Sequence, residues 1–190
     1  MTPFAEQFVY FSSLGVVVLN ILFVVALAVW LAIGLGSRHS VVASFFRFFT
    51  EYIEQIGFLV AFAAFVGSLI FSNIIGFDPC ELCWWQRVLI YPQIIVFGVA
   101  WYEKWRHNRR NEGLLHVALV LSLLGLIVGG IQSYSQFFNP ELLAGCAAVS
   151  VSCTKLYFLS FGYITIPVMS LSTFLFLSVV LGMKKLVRHA

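Results

Sequence analysis

Long uncharged runs alternate with short charged ones along the whole chain. The runs cover residues 7–37, 55–77, 88–102, 113–140 and 156–183. A helix that crosses a bilayer needs roughly 20 predominantly apolar residues. The pattern therefore predicts five transmembrane helices, over residues 9–34, 56–76, 81–102, 114–137 and 157–182. A secretory signal would have a basic start and an apolar core of about 7–15 residues. Here Glu6 is the only charged residue before the first run, which is far longer than such a core, so residues 9–34 read as a retained helix. No internal repeat stands out, and there is no room for a soluble domain.

Composition agrees with this reading. Hydrophobic residues make up 61% of the chain and charged residues 10%, against about 25% charged in a soluble domain. The net charge of +3 is too small to argue for a nucleic-acid partner. The placement of the basic residues is more informative, because Lys and Arg collect in cytoplasmic loops. Arg38 and Arg47 lie in one interhelical stretch, Lys104, Arg106, Arg109 and Arg110 in another, and Lys184, Lys185 and Arg188 in the tail. The intervening stretches hold only Arg87 and Lys155. The alternation puts the N-terminus outside and the C-terminus in the cytoplasm. It also puts all four cysteines, Cys80, Cys83, Cys146 and Cys153, on the external side, where disulfides persist.

The densest chemistry lies in the stretch Asp78, Pro79, Cys80, Glu81, Leu82, Cys83, Trp84, Trp85, Gln86, Arg87. Asp78 is a suitable N-cap, Pro79 suits a first helical position, and Glu81 completes an acidic form of the capping box. A helix is expected to start here with both cysteines in its opening turns. Unpaired amides and the helix dipole favour negative charge at such a start, and a thiol there loses its proton more easily. The thiolate is the attacking species in disulfide exchange. Cys-x-x-Cys brings the two sulfurs onto one helical face within bonding reach. Arg87 lies on the same face, one turn deeper, near or just inside the membrane boundary. A charge at that depth needs a partner and marks a functional hypothesis; a quinone carbonyl is one acceptor that fits. The plainer alternatives are an Arg87 that snorkels to the headgroups and a cysteine pair that is a static staple or half of a zinc site. Trp84 and Trp85 read as interfacial belt aromatics.

Cys146 and Cys153 flank six small or β-branched uncharged residues in a short loop. A mobile external pair beside a membrane-rooted Cys-x-x-Cys suggests a relay. In it, a partner thiolate attacks the loop disulfide, a loop thiolate attacks the Cys80–Cys83 disulfide, and the final acceptor lies in the membrane. A passive clasp is the alternative.

Cys80 to Arg87, followed by Tyr91 and Pro92, resembles the quinone-reducing DsbB/BdbC family of disulfide-bond formation proteins. The second pair before a final helix, with Phe161, Gly162, Tyr163, Ile166 and Pro167, is similar to the BdbC-type branch. The likeness covers roughly residues 56–182. It implies an all-α membrane protein whose core is a four-helix transmembrane bundle. The chain then divides into an additional N-terminal transmembrane helix over 1–40 and a bundle with external cysteine loops over 41–190. It implies a bacterial inner-membrane oxidoreductase that reoxidises a DsbA-like thioredoxin-fold partner and reduces ubiquinone or menaquinone from the membrane pool. In that reading Cys80 and Cys83 are the quinone-proximal pair, with Cys83 facing the ring and Arg87 assisting it. Cys146 and Cys153 are the partner-facing pair, with Cys146 taking the mixed disulfide. Two rival readings remain. One is a quinone-ring reductase similar to vitamin K epoxide reductase; the other is a non-enzymatic membrane protein with structural disulfides or a four-cysteine zinc site.

The polar cluster Gln132, Ser133, Tyr134, Ser135 and Gln136 reads as ordinary interfacial residues, with a border of a quinone pocket as the alternative. The stretch 38–55, with Glu51 and Glu54, reads as an amphipathic surface helix. His39, His107, His116 and His189 are scattered near the cytoplasmic side and suggest no metal or haem site.

Overall fold

The computed structural model describes residues 2–34, 40–108, 110–148 and 151–187. Among the described residues six α-helices form in chain order: α1 (Pro3–Gly34), α2 (Ser40–Glu51), α3 (Ile53–Leu69), α4 (Glu81–His107), α5 (Glu112–Phe137) and α6 (Ile166–Val187). A π-helical turn at Ile70–Ile74 extends α3. All of these except α2 are long and apolar enough to cross a membrane, and the chain is an all-α, multi-pass membrane protein. Helices α3, α4, α5 and α6 pack in sequence as a bundle, and α1 lies along α6. The short α2 turns Phe49 into the core against Phe176, while Phe48 and Glu51 stay exposed. This matches the surface helix expected within 38–55; Arg38 and His39 lie outside the described residues.

In a bilayer, apolar side chains gain little by leaving lipid, so helices associate through close packing at small residues. Two glycines set the contacts here. A Cβ on Gly57 of α3 would stand 2.4 Å from the Phe97 ring of α4, and one on Gly125 of α5 would stand 2.3 Å from the Phe174 ring of α6. Both rings are fully buried, each seated against bare backbone of the neighbouring helix. Between these contacts, Ser122 donates to Gln93 Oε1 at 3.2 Å, and Gln93 Nε2 donates to the Leu89 carbonyl at 3.1 Å. The deep polar pair is thus satisfied within the bundle, as lipid requires.

At the end of the bundle away from the cysteines, Glu54 is fully buried between two cations. Arg110 Nε lies 2.7 Å and Lys104 Nζ 3.4 Å from its carboxylate. Lys104 also pairs with Glu51 at 2.9 Å. The cluster ties the start of α3 to the α4–α5 turn. That turn is built from Asn108 in a left-handed conformation (φ 48°) and from Asn111, whose Oδ1 accepts from the Leu114 amide at 3.3 Å.

The last helix departs from the sequence expectation. It begins at Ile166, not at 157. Phe161 and Gly162 both adopt positive φ, at 52° and 78°, closing a tight turn bridged between Ser160 and Ile164. Pro167 then suits a first helical turn and no interior position. Upstream of the turn, Tyr157 stacks on Phe77 at 4.6 Å and Phe158 on Phe71 at 5.7 Å. Aromatic docking onto the α3–α4 connection therefore competes with helix formation over 157–165 and prevails.

The two kinds of glycine in α5 make a matched test. Gly125→Ala forces the Phe174 ring to move and should cost about 1–3 kcal/mol, the usual range for overpacking. Gly130→Ala meets nothing within 4 Å and should leave stability unchanged or slightly raised. Thermal unfolding of the two purified variants in one detergent checks this; equal melting temperatures would mean that the Gly125–Phe174 contact does not hold α5 to α6.

Candidate functional site

The π-turn at the end of α3 leads through Gly76 (φ 82°) into an extended segment that delivers Cys80 to the start of α4. Here the structure corrects the expected cap. The N-cap is Cys80 itself, with extended backbone (φ −74°, ψ 173°), and its Sγ accepts from the Cys83 amide at 3.4 Å. Asp78 and Pro79 lie before the helix, and the Asp78 carbonyl accepts from the Tyr157 hydroxyl at 2.8 Å. The capping sulfur therefore lies beside Cys83, with the two Sγ atoms 2.9 Å apart. A cysteine substitutes for the usual Asp or Ser cap because a sulfur can accept from the same orphan amide.

Gln132 of α5 occupies the space beneath this turn. It is 1% exposed. Its Nε2 lies 3.2 Å from Cys80 Sγ, 3.6 Å from Cys83 Sγ and 3.1 Å from the Cys153 carbonyl. Its Oε1 accepts from Gln86 Nε2 at 2.8 Å. One turn further along α5, Gln136 donates to the Lys155 carbonyl at 3.3 Å and accepts from Thr165 Oγ1 at 2.7 Å, so it pins both flanks of the segment after Cys153. The interfacial reading of this cluster holds for Tyr134, which is exposed, but not for Gln132. A sequence signal for Gln132 existed: an amide well inside an apolar run is costly in lipid unless it has an inward task.

The two cysteine pairs meet at one end of the bundle. Cys80 and Cys153 are buried, at 4% and 2% exposure, while Cys83 and Cys146 are half-buried. Cys146 sits in a 3-10 segment, Pro140–Ala148, above α5. Hydrogen bonding to the Cys83 sulfur, followed by burial, pushes the Cys80 thiol up. Burial, helped by a hydrogen bond with Cys153, pushes the Cys146 thiol up to about 11. Among the described residues, no group of three or more His, Cys, Asp or Glu is arranged to hold a metal ion.

Arg87 turns toward α3. Its guanidinium donates to the Ser68 carbonyl at 3.2 Å and lies over the Trp84 ring at 4.9 Å. Tyr91, one turn deeper, donates to the Ser68 hydroxyl at 3.3 Å. Sequence reasoning passed over Ser68, which carries no signal of its own in a run of small and apolar residues.

Below the cysteines lies a cavity of ≈ 470 Å³, within the ~300–1,000 Å³ usual for small-molecule sites. Cys80, Cys83, Gln86, Arg87, Gln132 and Cys153 line one end, and Leu19, Leu59, Val60, Ala63, Ala64 and Phe174 the other. On α3 and its π-helical extension the lining runs from Leu59 to Phe71, a length of about 18 Å of helix. The space is thus a slot, polar and sulfur-lined at its top and apolar below. An amphipathic molecule with a polar ring and an apolar tail fits that distribution, and Arg87 has further N–H donors beyond the one used on Ser68.

Comparison with known proteins agrees with the geometry. The family described as "Disulfide bond formation protein DsbB" matches residues 50–183. The chain is 33% identical to "Probable disulfide formation protein C 2" of Bacillus anthracis, over 73% of this chain and 94% of that one. It is 36% identical to "Probable disulfide formation protein" of Oceanobacillus iheyensis, over 68% and 88%, and 34% identical to "Probable disulfide formation protein" of Coxiella burnetii, over 70% and 87%. No solved structure matches. With a Cys-x-x-Cys helix start, a second cysteine pair docked beside it and a match across the α3–α6 bundle, the chain belongs to the DsbB family of disulfide-bond formation proteins, membrane proteins that act in making disulfides.

Proposed function

We propose that this chain oxidises the dithiol of a DsbA-like thioredoxin-fold partner and passes the electron pair to a quinone of the membrane pool, ubiquinone or menaquinone. The observation that carries the reading is the convergence of Cys80, Cys83 and Cys153 on the polar end of an otherwise apolar slot, with Arg87 one turn below. The bacterial source of the relatives supports placement in a bacterial inner membrane, and the charge pattern supports an external N-terminus and external cysteine loops.

The burial order supports a direction of flow. A partner thiolate attacks Cys146, the accessible member of the Cys146–Cys153 disulfide, and the Cys153 thiolate leaves. The partner's second thiolate resolves the mixed disulfide, so the partner departs oxidised and the loop pair is reduced. Cys153, buried beside Cys80, then attacks the Cys80–Cys83 disulfide at Cys80, and Cys83 leaves as the thiolate. Cys146 resolves the Cys153–Cys80 bond, restoring the loop disulfide and leaving Cys80 and Cys83 reduced. A quinone bound in the slot accepts two electrons and two protons in total, which reforms the Cys80–Cys83 disulfide. Hydrogen bonding and burial favour the protonated form of Cys80, so Cys83 is the sulfur that carries charge toward the slot. Arg87 and the Gln132 amide both lie where they offset that charge. Arg87 also offers donors to a ring carbonyl.

Four outcomes test the scheme. Cys83→Ser should abolish quinone reduction by a reduced thioredoxin-fold donor, read as loss of quinone absorbance. Arg87→Ala should raise the apparent KM for quinone more than that for the donor; unchanged quinone kinetics would remove its role. Gln132→Leu removes hydrogen bonds to sulfur worth ~1.5–3 kcal/mol when one partner is charged, and should slow donor-driven turnover about tenfold or more. Finally, the raised Cys146 thiol makes a pH prediction. In the fully reduced protein the Cys146 thiolate fraction should keep rising about tenfold per pH unit until close to pH 11. Its alkylation rate by iodoacetamide should follow, and a plateau near pH 8.5, the ordinary cysteine range, would contradict the half-buried placement of Cys146 beside Cys153.

A further inference from the structure

The slot has a wall that the family match does not include. The match begins at residue 50, whereas α1 ends at Gly34. Yet Ser12, Gly15, Val16 and Leu19 of α1 line the cavity. At 100° per residue these four fall within an arc of about 100°, one face of the helix. The bundle explains why a wall is needed there. Helix α6 packs closely on α5 but only loosely on α3, and residues on both sides of this α3–α6 seam line the slot. Helix α1 runs along α6 and reaches across the seam, where Phe8 meets Phe71 edge-on at 5.1 Å. Without it, the seam would open the slot sideways to lipid.

The α1 lining is graded as the rest of the slot is. Ser12 is polar, and Gly15, Val16 and Leu19 follow it toward the apolar end shared with Leu59 and Phe174. Gly15 adds no side chain to the wall, and a Cβ there would meet nothing within 4 Å. We infer that α1 is a specificity wall for the acceptor's tail: the Gly15–Val16–Leu19 face borders the first isoprenoid units of a quinone whose ring lies at Arg87 and Cys83. The inference rests on the quinone reading above and adds to it the part of the acceptor that α1 touches.

The test uses the full chain in lipid nanodiscs, with a reduced thioredoxin-fold donor and two quinones that share one ring and carry either no isoprenoid unit or eight. Gly15→Leu, which places a side chain in open space at the wall, should raise the apparent KM for the long-tailed quinone roughly tenfold, equivalent to about 1.4 kcal/mol. It should leave the tailless quinone within about twofold, where retained turnover also reports folding; the tenfold change lies in the ~1–3 kcal/mol range of steric overfilling. Ile21→Trp, on the opposite, exposed face of α1, should change neither. Equal KM values for Gly15→Leu and wild type, or an equal rise with both quinones, would overturn the inference while leaving the quinone reading intact. An independent arm needs no variant. A quinone with a photoreactive group on its first tail unit should label a wild-type peptide containing residues 12–19; label confined to α3, α4 or α6 would overturn the inference. A wild type that reduces neither quinone would instead overturn the functional reading, and the photolabel would still show whether a quinone tail lies against α1.

Discussion

Inside a bilayer-spanning bundle the side-chain amide of Gln132 has no water to turn to, so its hydrogen bonds must be made with protein. Those bonds run to Gln86 on α4, to the Cys153 backbone in the loop before α6, and to the sulfurs at the start of α4. One residue of α5 thereby fixes the relative positions of two cysteine pairs supplied by separate connections. An amide nitrogen has two hydrogens, and three acceptors lie within reach of this one. The bonds to Cys80, Cys83 and Cys153 therefore compete, and the one favoured will follow the charge on the sulfurs. The arrangement suits a relay in which negative charge moves from one sulfur to the next.

The remainder of the fold serves this junction. Close packing at Gly57 and Gly125 holds α3, α4, α5 and α6 near enough for the helix ends to share a polar cluster. The Glu54 ion pairs anchor the opposite end, where α3 and the α4–α5 turn meet. Aromatic rings clamp the connection between α3 and α4 to the segment after Cys153: Phe71, Phe77, Tyr157 and Phe158 form a continuous set of ring contacts. That clamp keeps the reactive segment from joining α6 as regular helix. The local loss of helical hydrogen bonding is offset by ring burial and by the Tyr157 bond to the Asp78 carbonyl.

Much of the architecture was legible from periodicity and charge alone. Four uncharged runs of membrane-spanning length and a shorter one, 88–102, located the five spanning helices, because a bilayer leaves few other options for an apolar backbone. Spacing placed Cys80, Cys83 and Arg87 on one helical face. The chemistry of the stretch before α4 predicted a helix start but assigned the cap to Asp78. Local propensity ranks Asp above Cys as a cap, and only the path of the chain out of the π-turn made Cys80 the residue in position. The final helix was expected nine residues too early for a related reason: residues 157–165 carry no charge to interrupt the run, and the competing partners, Phe71 and Phe77, lie about eighty residues away in sequence.

The sequence by itself determined the number of spanning segments, the even set of cysteines and the chemistry available at the α4 start, since each depends on neighbours along the chain. Tertiary structure alone decided that Gln132 turns inward to the sulfurs, that Ser68 receives Arg87 and Tyr91, and that α1 closes a slot formed by other helices. Those are contacts between residues far apart in sequence. Which face of an apolar helix meets a neighbour and which meets lipid is not written in its hydropathy, because both surroundings are equally apolar.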